Sequence, residues 1–290
     1  MTLSIITPTY NRADYLPRCY NSLRCQTSFD FEWIIVDDGS TDNTESVVSA
    51  FSSELFPVVY VKKPNGGKHT ALNASHPYIR GEYILILDSD DFLTDTAVQE
   101  VVDAWAQYAK DQSIGIVTFL KGTDKEHPVC AAVEYDVPAE ILRYRRIRYM
   151  RTDCCEVIRT ELFKQYPFPE FEGERFLSEC ALWDQVSFTH KCLYRNSVIY
   201  ICEYLEGGLT KSGRALRLQN AHGGMFTSEL RMDRSNFFKD RVKNALLYNC
   251  YADCLGVSFR NRIEKSRAPV LTGICALVGR FLYWYWNSKR

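Results

Sequence analysis

An α/β fold, with a mostly parallel central sheet flanked by helices, is what this sequence predicts. Three observations carry it. Short β-rich apolar runs alternate with segments of helical period, the pattern of parallel βαβ units. Each early run stops at polar, turn-prone residues: "TPTYNR", "DDGS", "KPNGGK" and "DSDD". The 290 residues, 46% hydrophobic and 24% charged, suffice for one large domain or for one with an appendage.

The elements follow in order. Leu3 to Thr7 is a short strand ended by Pro8. Ala13 to Cys25 places Tyr15, Leu16, Cys19, Tyr20 and Leu23 close to helical period. "FEWIIVDDGS" is a second buried strand, and "TDNTESVVSAF" starts a helix with Thr41 or Asp42 as its cap. "PVVYVKK" is the third strand, "KHTALNAS" begins another helix, and "EYILILD" is the fourth strand. "IGIVTFL" (Ile114 to Leu120) is a further strand. Residues 121 to 215 are less regular, and beyond about Leu216 the chain reads as helical.

The formal charge of -1 argues against nucleic acid as the main partner. That charge is uneven, because Gly256 to Arg290 holds seven Lys or Arg against the single Glu264. Eleven cysteines without a C-x-x-C pair fit neither a zinc site nor a disulfide framework, and predict reduced thiols in a cytoplasmic protein. "MTLSIITPTY" shows no signal peptide, and no window reaches the roughly 18 apolar residues of a spanning helix. "APVLTGICALVGRFLYWYW" (Ala268 to Trp286), flanked by Arg267, Lys289 and Arg290, suits a membrane interface or a helix packed on the domain.

"ILILDSDDFL" gathers Asp88, Asp90 and Asp91 at the mouth of a buried strand. Clustered carboxylates call for positive charge. A hard divalent cation held by one or two carboxylates and by phosphate oxygens answers that need. The plainer alternative is that Asp88 caps the next helix and the others are solvated. The neighbouring loops shift the balance. Asp37 and Asp38 suit hydrogen bonds from a base N–H or ribose hydroxyl, and "KPNGGKHTALN" sets Lys68 at a helix start that favours anions. "TPTYNR" adds Tyr10 and Arg12. Together these loops suit a base, a ribose, a diphosphate and its metal. In open parallel sheets, ligands sit beyond the carboxyl ends of the strands.

With these loops the sequence resembles the family 2 glycosyltransferases of the GT-A fold. The matching segments are "SIITPTYNRADYLPRCYNSLRCQT", "FEWIIVDDGSTDNT", "NGGKHTALN" and "GEYILILDSDDF", in the family's order across the first hundred residues. The resemblance implies a GT-A domain over 1–215, with a nucleotide-sugar half (1–100) and an acceptor-side half (101–215), and a helical C-terminal extension over 216–290. It implies a nucleotide-sugar donor, usually UDP-linked, inversion at the anomeric carbon, and Mn2+ or Mg2+. By motif, Pro8, Thr9 and Tyr10 line the nucleotide, Asp38 contacts the base, and Lys68 lies near the donor. Asp88 approaches the ribose or metal, and Asp90 or Asp91 binds the metal.

Inverting transfer also needs a base for the acceptor hydroxyl. "FEGERFLSECALWDQVSF" is the best stretch, because family members carry an acidic motif there, often Glu-Asp, opening a helix. This chain has Glu179-Cys180, so the Asp is absent. Glu179 is the first candidate, Asp184 the second and Glu174 the third. Asp184 also suits an exposed helix acid, Glu179 a helix-start acid, and Trp183 a buried core residue rather than a sugar platform. His222 in "QNAHGGMF" suits a surface histidine in a glycine turn better than a metal ligand. "LRYRRIRYMR" suits a solvated face or a dock for anionic lipid or acceptor phosphate.

The resemblance points to transfer of one sugar onto a saccharide or lipid-linked saccharide for a bacterial surface glycan, at the inner face of the membrane. Processive family members carry Q-x-x-R-W and several membrane spans, and neither is seen here. Two alternatives stay open: a sugar nucleotidyltransferase, although "TPTYNRADYLPR" lacks the glycines a triphosphate loop needs, and a degenerate nucleotide-sugar-binding scaffold, suggested by Cys180.

Overall fold

Strands β1 (Leu3–Thr9) and β2 (Phe31–Asp37) form the centre of a parallel array, with β3 (Val58–Lys62) at one edge and β4 (Tyr83–Ile86) at the other. The computed structural model describes residues 1–129, 153–203, 213–234 and 237–288. The "LRYRRIRYMR" segment lies outside the described residues. The full sheet has eight strands in the order β3-β2-β1-β4-β7-β6-β8-β5, adding β5 (Phe92–Leu93), β6 (Ile114–Gly122), β7 (Cys154–Arg159) and β8 (Lys191–Ile201). Strand β7 runs antiparallel between β4 and β6, and β5 runs antiparallel to β8. The expected mostly parallel sheet is present, and the stretch from 121 to 215 that looked irregular contributes β7 and β8.

Every residue of β1 and β2 is buried, as expected for strands covered on both faces. Helix α1 (Leu16–Arg24) buries Leu16, Cys19, Tyr20 and Leu23. Tyr20 stacks between Trp33 of β2 and Phe51, with centroids 5.9 and 4.4 Å away. Helix α4 (Ala97–Tyr108) adds Val98, Val101 and Trp105 to the same core. Because β1, β2, β3 and β4 are parallel, the loops after them open on one edge of the sheet. This topology gathers the suspect loops.

The chain divides into two compact units, Met1–Phe168 with Thr189–Glu203, and Pro169–Phe188 with Tyr204–Arg290. The division departs from the expected boundary near 215. Pro169–Phe188, with its helix Cys180–Ser187, belongs with the C-terminal helices. In that second unit, helix Ala221–Arg234 packs on helix Phe238–Cys254, which also carries helix Pro269–Asn287. Glycines allow the first of these contacts. A Cβ on Gly224 would fall 2.6 Å from the Tyr251 ring. "AHGG" is thus a helix start, not the glycine turn its composition suggested.

Candidate active site

The turn after β4 is closed by the Asp91 amide, which donates to the Asp88 carbonyl at 3.1 Å. Its acids are not left to repel one another. Lys68, the first residue of helix α3 (Lys68–Ala74), places Nζ 2.5 Å from Asp88. Arg18 of α1 donates to the Asp90 carbonyl and pairs with Glu203 at 2.6 Å. From β8, Tyr200 donates to Asp91 at 2.8 Å and accepts the Asp88 amide at 2.9 Å. Lys121 of β6 lies 4.2 Å over the Tyr200 ring and is 8% exposed. Lys121, Tyr200 and Arg18 escaped sequence reasoning. Lys121 had a usable signal, since it is the lone charge closing "IGIVTFLK", as the aspartates close "YILILD".

These neighbours give the acids different chemistry. Burial disfavours ionised Asp88, but Lys68 and then Lys121 outweigh it and hold its carboxyl below the ordinary value. Burial, reinforced by the Asp88 charge, pushes Asp91 up to about 6. The Asp91 carboxylate also accepts the Glu203 amide at 3.2 Å, so it is buried and occupied. Asp90 keeps 27% of its side chain exposed, and Arg12 stands off at 3.9 Å. Among the described residues, no group of three or more His, Cys, Asp and Glu is placed to enclose a metal. One reachable carboxylate beside a second, with phosphate oxygens completing the shell, is the donor set that Mg2+ or Mn2+ accepts. The turn therefore fits such an ion through Asp90.

Asp38, expected against a base, is used inside the protein. Its carboxylate accepts Lys63 Nζ at 2.7 Å, the Gly66 amide at 2.9 Å and the Gly67 amide at 2.6 Å. It shapes the glycine loop, and Lys63 is a further residue that sequence reasoning missed. Gly67 has φ +95°, a conformation that only glycine adopts without strain. Asp37 caps the "DDGS" turn through Ser40 at 2.7 Å and accepts Tyr60 at 2.6 Å. The adjacent helix begins at Thr44, whose amide and hydroxyl both donate to Asp42. On the "TPTYNR" loop, Pro8 and Thr9 end β1, and Tyr10 is exposed. The Thr9 hydroxyl is buried without a hydrogen-bond partner. Asn11 adopts φ +52° and is fixed by Ser40 and Thr41.

The three candidate bases lie in the second unit and differ sharply. Asp184, the second candidate base, is buried and ion-paired with Arg231, which overturns the alternative of an exposed helix acid. The correction has a plain cause. Asp184 shares helix Cys180–Ser187 with buried Ala181, Leu182 and Trp183, and so needs an internal partner. Glu174 accepts the His222 amide and ring Nδ1 at 2.7 and 2.9 Å and the Gly223 amide at 2.9 Å. It caps helix Ala221–Arg234, and His222 stacks on Phe171. Glu179 occupies the N-cap position of helix Cys180–Ser187 and is partly exposed.

The fold defines the class as a mixed α/β protein whose mostly parallel sheet carries an acid-bearing turn and three polar loops on one edge. The chain belongs to glycosyl transferase family 2, whose family model matches residues 4–166. Glycosyltransferase GlyG of Streptococcus pneumoniae serotype 4 is 34% identical over 283 residues, covering 91% of this chain and 87% of that protein. A chondroitin synthase of Pasteurella multocida (strain Pm70) is 40% identical over 115 residues, 40% of this chain but only 12% of the synthase. In three dimensions, S. aureus TarS 1-349 solved with UDP-GlcNAc matches all of this chain and 93% of its own, with TM-score 0.64 and 19% identity. That last likeness is one of fold, and the fold is GT-A.

Proposed function

We propose that the chain moves one hexose or N-acetylhexosamine from a UDP-sugar to a saccharide or lipid-linked saccharide, with inversion, in surface-polysaccharide synthesis at the cytoplasmic face of the membrane. One observation carries this. Of the three acids on the β4 turn, Asp91 is buried on Tyr200. Asp88 and Asp90 are equally exposed, but Asp88 is paired with Lys68 at 2.5 Å while Arg12 lies 3.9 Å from Asp90. Asp90 would hold Mn2+ or Mg2+ together with diphosphate oxygens, and a bound ion offsets the charge that grows on the departing diphosphate. Lys68 and Arg12 add fixed positive charge beside the turn. Thr9 and Tyr10, with the loop that Asp38 shapes, support the nucleotide.

Glu179 takes the proton from the acceptor hydroxyl as its oxygen bonds to the anomeric carbon and the bond to the diphosphate breaks. Asp184 and Glu174 are less suited, because both carboxylates are buried, whereas Glu179 is partly exposed. Family membership weighs against the nucleotidyltransferase alternative. Cys180, at the position where relatives often carry Asp, favours a second reading as a binding protein without turnover.

The test is donor hydrolysis. Purified protein is expected to release UDP slowly from a UDP-sugar when Mn2+ is present, and Asp90→Ala is expected to abolish that release. UDP binding without release would favour the binding-protein reading. Metal-independent release by Asp90→Ala would remove the role given to the turn.

A further inference from the structure

Helix Pro269–Asn287 is apolar on two opposite faces. One face holds the buried Thr272, Cys275, Gly279 and Trp286. It packs on helix Phe238–Cys254, where Asn249 donates to the Thr272 carbonyl at 3.0 Å and a Cβ on Gly279 would collide with Asn249. The opposite face holds Val270, Ile274, Leu277, Val278, Phe281 and Trp284, each between 57% and 82% exposed. Steps of three and four residues align these six side chains in one stripe along the helix. Six large apolar groups in a continuous exposed stripe differ from scattered surface hydrophobics and mark a contact surface.

Charge identifies the occupant. Between Gly256 and Arg290 there are seven Lys or Arg and one acid, Glu264, a net of six positive charges. Arg262 is buried against Asp253 and Arg260 pairs with Glu264, but Lys265 and Arg267 are exposed. Arg280 is exposed too; it lies 3.4 Å from Asp253 and sits three and four residues from Leu277 and Trp284 at the edge of the stripe. Among the described residues, no helix is long and apolar enough to cross a membrane. An apolar stripe with a basic margin suits a helix lying in the headgroup layer of an anionic bilayer. Face-to-face pairing of two copies would instead bring two such positive segments together.

We propose that this stripe seats the protein on an anionic lipid surface, with Helix Pro269–Asn287 in the membrane plane and Leu277, Phe281 and Trp284 inserted. The inference deepens the lipid-linked acceptor reading and draws its biological sense from it. Its test reads lipid binding alone, so either can fail without the other.

The full chain would be co-sedimented with vesicles of phosphatidylcholine and with vesicles containing about 30 mol% phosphatidylglycerol. Binding at least about tenfold stronger to the anionic vesicles, weakened by salt, is expected. Leu277→Glu with Phe281→Glu should lower binding by about tenfold or more at an unchanged melting temperature, since both side chains are exposed. Lys265→Gln with Arg267→Gln should weaken binding to the anionic vesicles only. Trp33, Trp105, Trp183 and Trp286 are buried, so a vesicle-induced blue shift of tryptophan emission should vanish in Trp284→Phe. Absent binding, or full binding by the Leu277/Phe281 variant, would overturn the proposal. A dimer that this variant dissolves, with no vesicle binding, would give the stripe to a second copy and equally overturn it.

Discussion

Tyr200 and Asp91, 109 residues apart, are joined by a 2.8 Å hydrogen bond that ties strand β8 to the acid turn after β4. The same hydroxyl accepts the Asp88 amide, so one side chain fixes both the backbone and the last acid of the turn. Tyr200→Phe keeps the ring beneath Lys121 but leaves a buried carboxylate oxygen and an amide without this partner. Losses of that kind cost about 1–3 kcal/mol. We expect a lower urea midpoint at unchanged slope, and weaker Mn2+-dependent UDP release. An unchanged midpoint would show that water or a neighbour replaces the hydroxyl.

Asp91 gives stability a pH dependence opposite to that of a salt-bridged acid. Burial, then the Asp88 charge, raise it from 3.8 to about 6 in the folded chain. A raised carboxyl favours the protonated form in the folded state. Its contribution is complete below about 4 and is lost as pH rises through about 6. In chelator-treated protein, the stability of wild type relative to Asp91→Asn should fall by ~1–3 kcal/mol between about pH 4 and pH 7. Asp88, held low chiefly by Lys68 against its burial, acts in the opposite sense, so the difference between the two proteins isolates Asp91. A relative stability that rises across this interval would contradict the assignment.

What the sequence disclosed and what it hid have physical reasons. The strands and their acid-ended loops were legible because apolar runs and turn residues are local signals, and β1, β2, β3 and β4 formed where those signals lay. The partners of the acids were not legible. Lys121 and Tyr200 reach the site from β6 and β8, and nothing in "SVIYICEY" marks Tyr200 as more than core. Asp184 misled for the same reason. A helical acid reads as exposed until its arginine, 47 residues away, is known. Asp38 carried a family role in the sequence, but folding occupied its carboxylate with two glycine amides and Lys63.

Gly224 and Gly273 should respond to alanine in opposite directions. At Gly224 a methyl group would press on the Tyr251 ring at 2.6–2.8 Å, and the two helices would have to separate. Overpacking of this kind costs about 1–3 kcal/mol. At Gly273 the nearest atom, Ile263 Cδ1, is 3.6 Å away, and the residue lies inside a helix where alanine is favoured by about 0.5–1 kcal/mol. Thermal melting of Gly224→Ala and Gly273→Ala should therefore move down and up respectively. Equal shifts would mean that Tyr251 swings aside at little cost.

Glu179 and Asp184 lie on the same short helix, yet their loss should be felt differently. Asp184 is buried against Arg231, whose side chain stays about one-third exposed, so Asp184→Asn removes the counter-charge of a partly solvated guanidinium and is expected to cost about 1–3 kcal/mol. Glu179 stands at the helix start, partly exposed, where a carboxylate can meet an acceptor hydroxyl. Glu179→Gln keeps the size and hydrogen-bonding capacity of the side chain but cannot take up a proton. Removal of a general base costs at least about 100-fold in rate. Transfer should fall by that factor, while UDP affinity and melting temperature should stay as in wild type. Wild-type turnover in Glu179→Gln would move the base to another residue, and a fall in melting temperature matching that of Asp184→Asn would make Glu179 a structural acid instead.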